Sequence, residues 1–163
     1  MNDTTDDSRN TARKSQEKTA LVTAVDYLAR QAHSEKKLRE KLERKGFSEE
    51  EIDAAIARLI GQGYLDDTDL CTQQFMALYN ENRNSVRQIC SKLMQRGFDR
   101  DLVRSVVPEN TFEREVATAE GILAMKYKPT EKIQKMMANL YQRGFSVDVA
   151  HHAVENFTED AEE

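Results

Sequence analysis

Nine basic side chains fall in three clusters, each running into one of three similar heptapeptides. Lys41, Arg44 and Lys45 stand in "KLERKGF"; Arg87, Lys92 and Arg96 lead through "KLMQRGF"; Lys132, Lys135 and Arg143 lead into "NLYQRGF". Cations repeated along a chain attract a polyanion or an acidic protein groove. The overall balance runs the other way: 24 Lys and Arg face 29 Asp and Glu, for a net charge of −5. That sum alone argues against nucleic-acid binding. Its distribution argues differently, because the acids gather in "SEEEID" and towards the two ends of the chain. One charged helix would read as a solvated face; three in a row favour function.

Catalytic chemistry finds little support. His33, His151 and His152 have no Cys or Asp companions at metal-ligand spacing. Asp66, Asp67 and Asp69 lack the further ligands and the glycine of a calcium loop, and capping a helix suits them better. Cys71 and Cys90 make no metal pair, and no disulfide is expected. No phosphate loop, dinucleotide glycine pattern or nucleophile elbow is present. The expectation is a non-enzyme with no cofactor and no metal. Tyr64, Phe75, Tyr79, Phe112, Tyr127 and Tyr141 read mostly as core side chains, a base-stacking platform being the minority reading.

The elements that must position the cations follow from the glycines. Gly46, Gly97 and Gly144 recur with a period of about 50 residues, the size of a two- or three-helix unit. Eight residues before each stand Leu38, Ile89 and Met136; four before, Leu42, Leu93 and Leu140; directly after, Phe47, Phe98 and Phe145. Six and ten after stand Ile52 and Ile56, Val103 and Val107, Ala150 and Val154. Such spacing puts the apolar groups on one helix face. The glycine can end a helix in the left-handed conformation. Ser48, Asp99 and Ser146 follow as N-caps for the next helix. Upstream of each pair the pattern predicts a third helix, with Ser34 capping the middle helix of the first unit. The predicted fold is all-α: three tandem three-helix repeats at 18–62, 64–108 and 111–158, in an elongated, curved, solenoid-like array that shares apolar surface between units. Residues 1–17 read as a disordered arm and 159–163 as an acidic tail. No apolar run is long enough to span a membrane, and "MNDTTDDSRNTARKSQEK" has no secretory core, so a cytoplasmic monomer is expected.

The stretch "YLARQAHSEKKLREKLERKGFSEEEIDAAIARLIGQGYLDD" resembles the regulatory protein RecX family. The likeness rests on His33-Ser34, Leu38, Lys41-Leu42, Lys45-Gly46-Phe47, Ile52, Ile56, Leu59 and Gly63 to Asp67. It extends through Ile89 to Phe98 and more weakly through "YQRGF" and "AVENF", covering about 20–158. Lys36 and Lys37 depart from the family pattern, as does "ENRNSVRQI", where Asn84 can replace a turn glycine. The resemblance implies a modulator that lies in the groove of the RecA recombinase filament on single-stranded DNA. It would inhibit ATP hydrolysis, strand exchange and filament growth, and so modulate DNA repair, homologous recombination and the SOS response. The basic side chains would be the contacts to filament or DNA. Two other readings stay open at this point: a direct nucleic-acid binder that competes for DNA, and a generic helical adaptor.

Overall fold

The structure, a computed structural model, describes residues 18–159, and these hold nine α-helices and no strand. The expected arm and most of the acidic tail lie outside the described residues. The first three helices are α1 (Ala20–Arg30), α2 (Glu35–Arg44) and α3 (Glu49–Gly61). The next three are α4 (Asp67–Asn80), α5 (Val86–Gln95) and α6 (Arg100–Ser105). The last three are α7 (Phe112–Lys126), α8 (Ile133–Gln142) and α9 (Val147–Glu159).

The local chemistry sets these boundaries. Thr19, Ser34, Ser48, Asp66, Ser85 and Asp99 each sit in extended backbone and accept a hydrogen bond from an amide of the first turn. Each such cap contributes about 1 kcal/mol. Ser48 with Glu51, and Ser85 with Gln88, close reciprocal capping boxes. At the other end of the middle helices, Gly46, Gly97 and Gly144 take φ of 89°, 93° and 87°. In each, the glycine amide donates to Glu43, Met94 or Tyr141, and the phenylalanine amide donates to Leu42, Leu93 or Leu140. This pair of bonds is the left-handed helix stop that glycine alone adopts without strain. In "ENRNSV" the left-handed residue is Asn82, with φ 51°, and not Asn84.

The apolar stripes meet mainly inside each repeat. Ala24, Leu38, Leu42, Ile52, Ile56, Leu59 and Leu65 form one core. Cys71, Phe75, Ile89, Leu93, Phe98 and Val103 form a second. The third gathers Val116, Ile122, Leu123, Met136, Leu140, Phe145 and Val154 with their neighbours. The expected sharing of apolar surface is therefore corrected: apart from Leu65, which comes from the start of the second unit to complete the first core, each core is built within its own unit. The aromatics also depart from expectation. Phe75 is fully buried, Tyr79 and Tyr127 are half-buried, and Tyr64, Phe112 and Tyr141 are exposed. Tyr64 follows another left-handed glycine stop at Gly63, and its ring is 72% exposed.

Candidate functional site: the end-to-end middle helices

The middle helices α8, α5 and α2 follow one another head to tail. Ser34, at the start of α2, accepts a hydrogen bond from the Lys37 amide at 3.3 Å and donates its own hydroxyl proton to the Arg96 carbonyl at the end of α5, 2.6 Å away. Ser85, at the start of α5, accepts from the Gln88 amide at 3.1 Å and donates to the Arg143 carbonyl at the end of α8, also at 2.6 Å. One hydroxyl thus serves the first amides of one helix and the last carbonyl of another. Both serines are buried.

A carboxylate completes each joint. The Glu35 amide donates to Asp67 Oδ1 at 2.9 Å, and the Val86 amide donates to Glu115 Oε1 at 2.9 Å. These are first-turn amides that no intrahelical carbonyl can reach. Burial pushes both carboxyls up from their ordinary values, against the opposing effect of those amide bonds. The joint glycines have a second duty. A methyl group at Gly97 would stand 2.5 Å from Ser34 Oγ, and one at Gly144 would stand 3.1 Å from both Ser85 Oγ and Arg87 Cδ. The incoming helix seats where a side chain would be.

The joint between the second and third repeats carries an extra brace. Arg114 donates to the Tyr79 carbonyl through Nε and Nη2, at 3.2 and 2.8 Å. Its Nη1 donates to the Asn84 carbonyl at 2.7 Å and to Glu115 Oε2 at 3.3 Å. The guanidinium lies over the Tyr79 ring, 4.5 Å from its centre.

Comparison with known proteins places this architecture. Residues 20–59 match the family profile "RecX, first three-helix domain". The regulatory protein RecX of Thermus thermophilus is 33% identical over 134 residues, covering 82% of this chain and 89% of that protein. The chain belongs to the RecX family. The RecX of Caldanaerobacter subterraneus is 31% identical, over 80% of this chain and 66% of its own length. That of Staphylococcus haemolyticus is 28% identical, over 84% and 54%. The chain therefore spans only about half to two thirds of several RecX relatives. Two crystal structures share the fold: RecX from Lactobacillus salivarius, with TM-score 0.71 at 19% identity, covering 85% of this chain and 94% of that one, and a second regulatory protein RecX, with TM-score 0.72 at 22% identity, covering 84% and 70%. These relatives are named as regulatory proteins. No described helix is long and apolar enough to cross a membrane.

The RecX-like residues gather at the first joint. Ser34 of "HS" holds the Arg96 carbonyl, and Asp67 of "GYLDD" holds the Glu35 amide. Leu65 of the same motif closes the first core. The basic residues separate into two groups. Spacing by four puts Lys41 and Lys45 on one flank of α2 and Lys92 and Arg96 on the same flank of α5, and spacing by eight puts Lys135 and Arg143 near that flank of α8. Arg44 lies beside that flank, 74% exposed, with Nη2 3.7 Å from Glu40. Lys92 Nζ donates to Asn84 Oδ1 at 3.1 Å, and Lys135 Nζ lies 3.3 Å from Glu131. Arg96 reaches Gln74, Arg143 reaches Asn139, and the Lys41 ammonium sits 5.0 Å over the Tyr27 ring. Burial, together with that charge, lowers the His33 pKa.

Arg87 and Lys132 stand apart from this flank. Arg87 lies across Gly144 at a joint. Lys132 is not in α8 at all; it holds the N-cap place that Ser34 and Ser85 hold elsewhere, and its side chain caps nothing. The series stops there. The joint roles of Ser34, Ser85, Asp67, Arg114 and Glu115 escape a reading of the sequence. Its one signal is a serine four residues before the first buried position of two middle helices, replaced by lysine in the third.

Proposed function

We propose that this chain is a regulator that seats in the helical groove of a RecA recombinase filament on single-stranded DNA and slows ATP hydrolysis, strand exchange and filament growth. RecX-family membership supports the reading. The observation that carries it is the one-way series of three middle helices, each with a basic flank. Three ten-residue helices end to end can lay these cations over roughly 45 Å, more than the ~30 Å width of a small domain. A ligand of that reach bridges neighbouring subunits of a helical polymer and holds them against rearrangement. Each exposed charge contact contributes only about 0–1 kcal/mol, so the binding is a sum over repeats.

The test is single-stranded-DNA-dependent ATP hydrolysis by the RecA of the same organism, titrated with this protein. The variant beside it is Arg44→Glu, Lys92→Glu, Lys135→Glu, three exposed positions clear of the joints. Inhibition at well under one protein per RecA, lost in a variant that keeps its circular dichroism, is the expected result. Undiminished hydrolysis with excess wild-type protein would sink the proposal.

A further inference from the structure

The three glycine stops are alike in backbone and unlike in company. Gly46, Gly97 and Gly144 share their left-handed φ and their two closing bonds. At Gly97 and Gly144 a serine-capped helix start sits against the glycine, and its hydroxyl fills the carbonyl of Arg96 or Arg143. At Gly46 no atom of the described residues beyond its own chain neighbours lies within 4 Å of where a Cβ would stand. The matching carbonyl, that of Lys45, accepts no hydrogen bond from a described residue. Phe47 stays half-buried, whereas Phe98 and Phe145 are each 4% exposed. In place of a neighbour there is a cavity of about 730 Å³, walled by Thr19, Thr23, Asp26, Tyr27, Phe47 and Glu51.

We infer that the open end of α2 at Gly46 is a docking site for the start of a helix that opens with Ser or Thr, on a partner protein. The two filled joints define what it takes. The cap hydroxyl donates to the Lys45 carbonyl. A long aliphatic stem just inside the helix lies across Gly46, as Lys36, Lys37 and Arg87 lie across Gly97 and Gly144. The carboxylates of Asp26, paired with Lys18, and of Glu51, which closes the Ser48 capping box, stand in the cavity wall, where negative charge favours the positive end of an incoming helix. A second copy of this chain does not fit. Its free middle-helix start carries Lys132, which has no hydroxyl to cap the first turn and donate to the Lys45 carbonyl. The site is independent of the filament reading and stands or falls separately from it.

The experiment is a titration of the isotope-labelled full chain, followed by nuclear magnetic resonance. The probe is a synthetic peptide copying residues 84–97 with Cys90→Ala, its helix held by a side-chain lactam. Shifts at the amides of Lys45, Gly46 and Phe47 are expected at millimolar peptide. A peptide also carrying Ser85→Ala binds about fivefold more weakly, the share of one hydrogen bond. Gly46→Asn keeps the left-handed turn but puts a side chain in the seat; it loses the shifts while its circular dichroism is unchanged. Shifts absent from Lys45 to Phe47, or equal binding by the two peptides, would overturn the inference.

Discussion

Alanine at the three glycine stops separates two roles that the glycines combine. Gly46, Gly97 and Gly144 all have φ near +90°, so each Gly→Ala change costs about 1–2 kcal/mol for a left-handed alanine. At Gly46 the cost ends there, because the new methyl meets no other part of the described residues. At Gly97 the methyl falls 2.5 Å from Ser34 Oγ, and the serine must move. It then gives up its bond to the Arg96 carbonyl, about 0.5–1.5 kcal/mol, and its cap on α2, about 1 kcal/mol. Gly97→Ala should therefore exceed Gly46→Ala by about 1–3 kcal/mol, with Gly144→Ala between them because its contacts are at 3.1 Å. Urea unfolding followed by circular dichroism measures the order. In thermal unfolding the gap corresponds to about 2–4 °C for each kcal/mol in a chain of this size. If Gly46→Ala and Gly97→Ala cost the same, the joint contributes nothing to stability and the repeats are not held end to end by it.

Phe98→Ala and Phe145→Ala each remove a buried ring and should cost about 3–5 kcal/mol in urea unfolding, with Phe47→Ala well below them because its ring is half-buried. Arg114→Ala strands Glu115 in a site where the two side chains are only 12% and 11% exposed; a loss of about 3–5 kcal/mol is expected in the same assay. Burial raises Asp67 above its ordinary value of 3.8. A raised carboxyl stabilises the fold fully below its unfolded pKa, and that contribution is lost as pH rises through the folded pKa. Wild type should therefore lose ground to Asp67→Asn as pH rises above the ordinary carboxyl value, read as the difference between their urea midpoints; a difference constant with pH would refute the assignment. Affinity for a bare single-stranded oligonucleotide, measured by fluorescence anisotropy, should fall more steeply with salt than affinity for the RecA filament, because phosphate contacts release counterions; equal slopes would favour a direct DNA binder.

Much of the fold is written locally. Leu38 and Leu42, with Ile52 and Ile56 across the turn, state a helix pair by spacing alone, and Gly46-Phe47-Ser48 spells its stop and restart. The joints are not local. Ser34 and Arg96 stand 62 positions apart, and nothing near Ser34 says that its hydroxyl proton points to another repeat. Asp67 reads as a cap because its neighbour Asp66 is one; which of the two faces inward depends on where α2 lies. Arg114 draws no notice in a chain rich in arginine until its two carbonyl partners are in place. The basic flank is partly legible. Residues four apart share a face, but Arg87 lies across Gly144 at a joint and Lys132 stands at the free N-cap of α8.

The one-way order of the middle helices gives the molecule an electrical direction. At each joint the positive start of one helix meets the negative end of the next, and the two partial charges largely cancel. Among the described residues the outermost ends meet no other middle helix: the start of α8 beside Glu131 and Lys132, and the end of α2 beside Gly46. A polymer of identical subunits has its own direction, and a ligand with unlike ends meets it in two unequal orientations. Turning this chain end for end would exchange those poles and reverse every repeat against its contact, so it can register on such a track in one sense only.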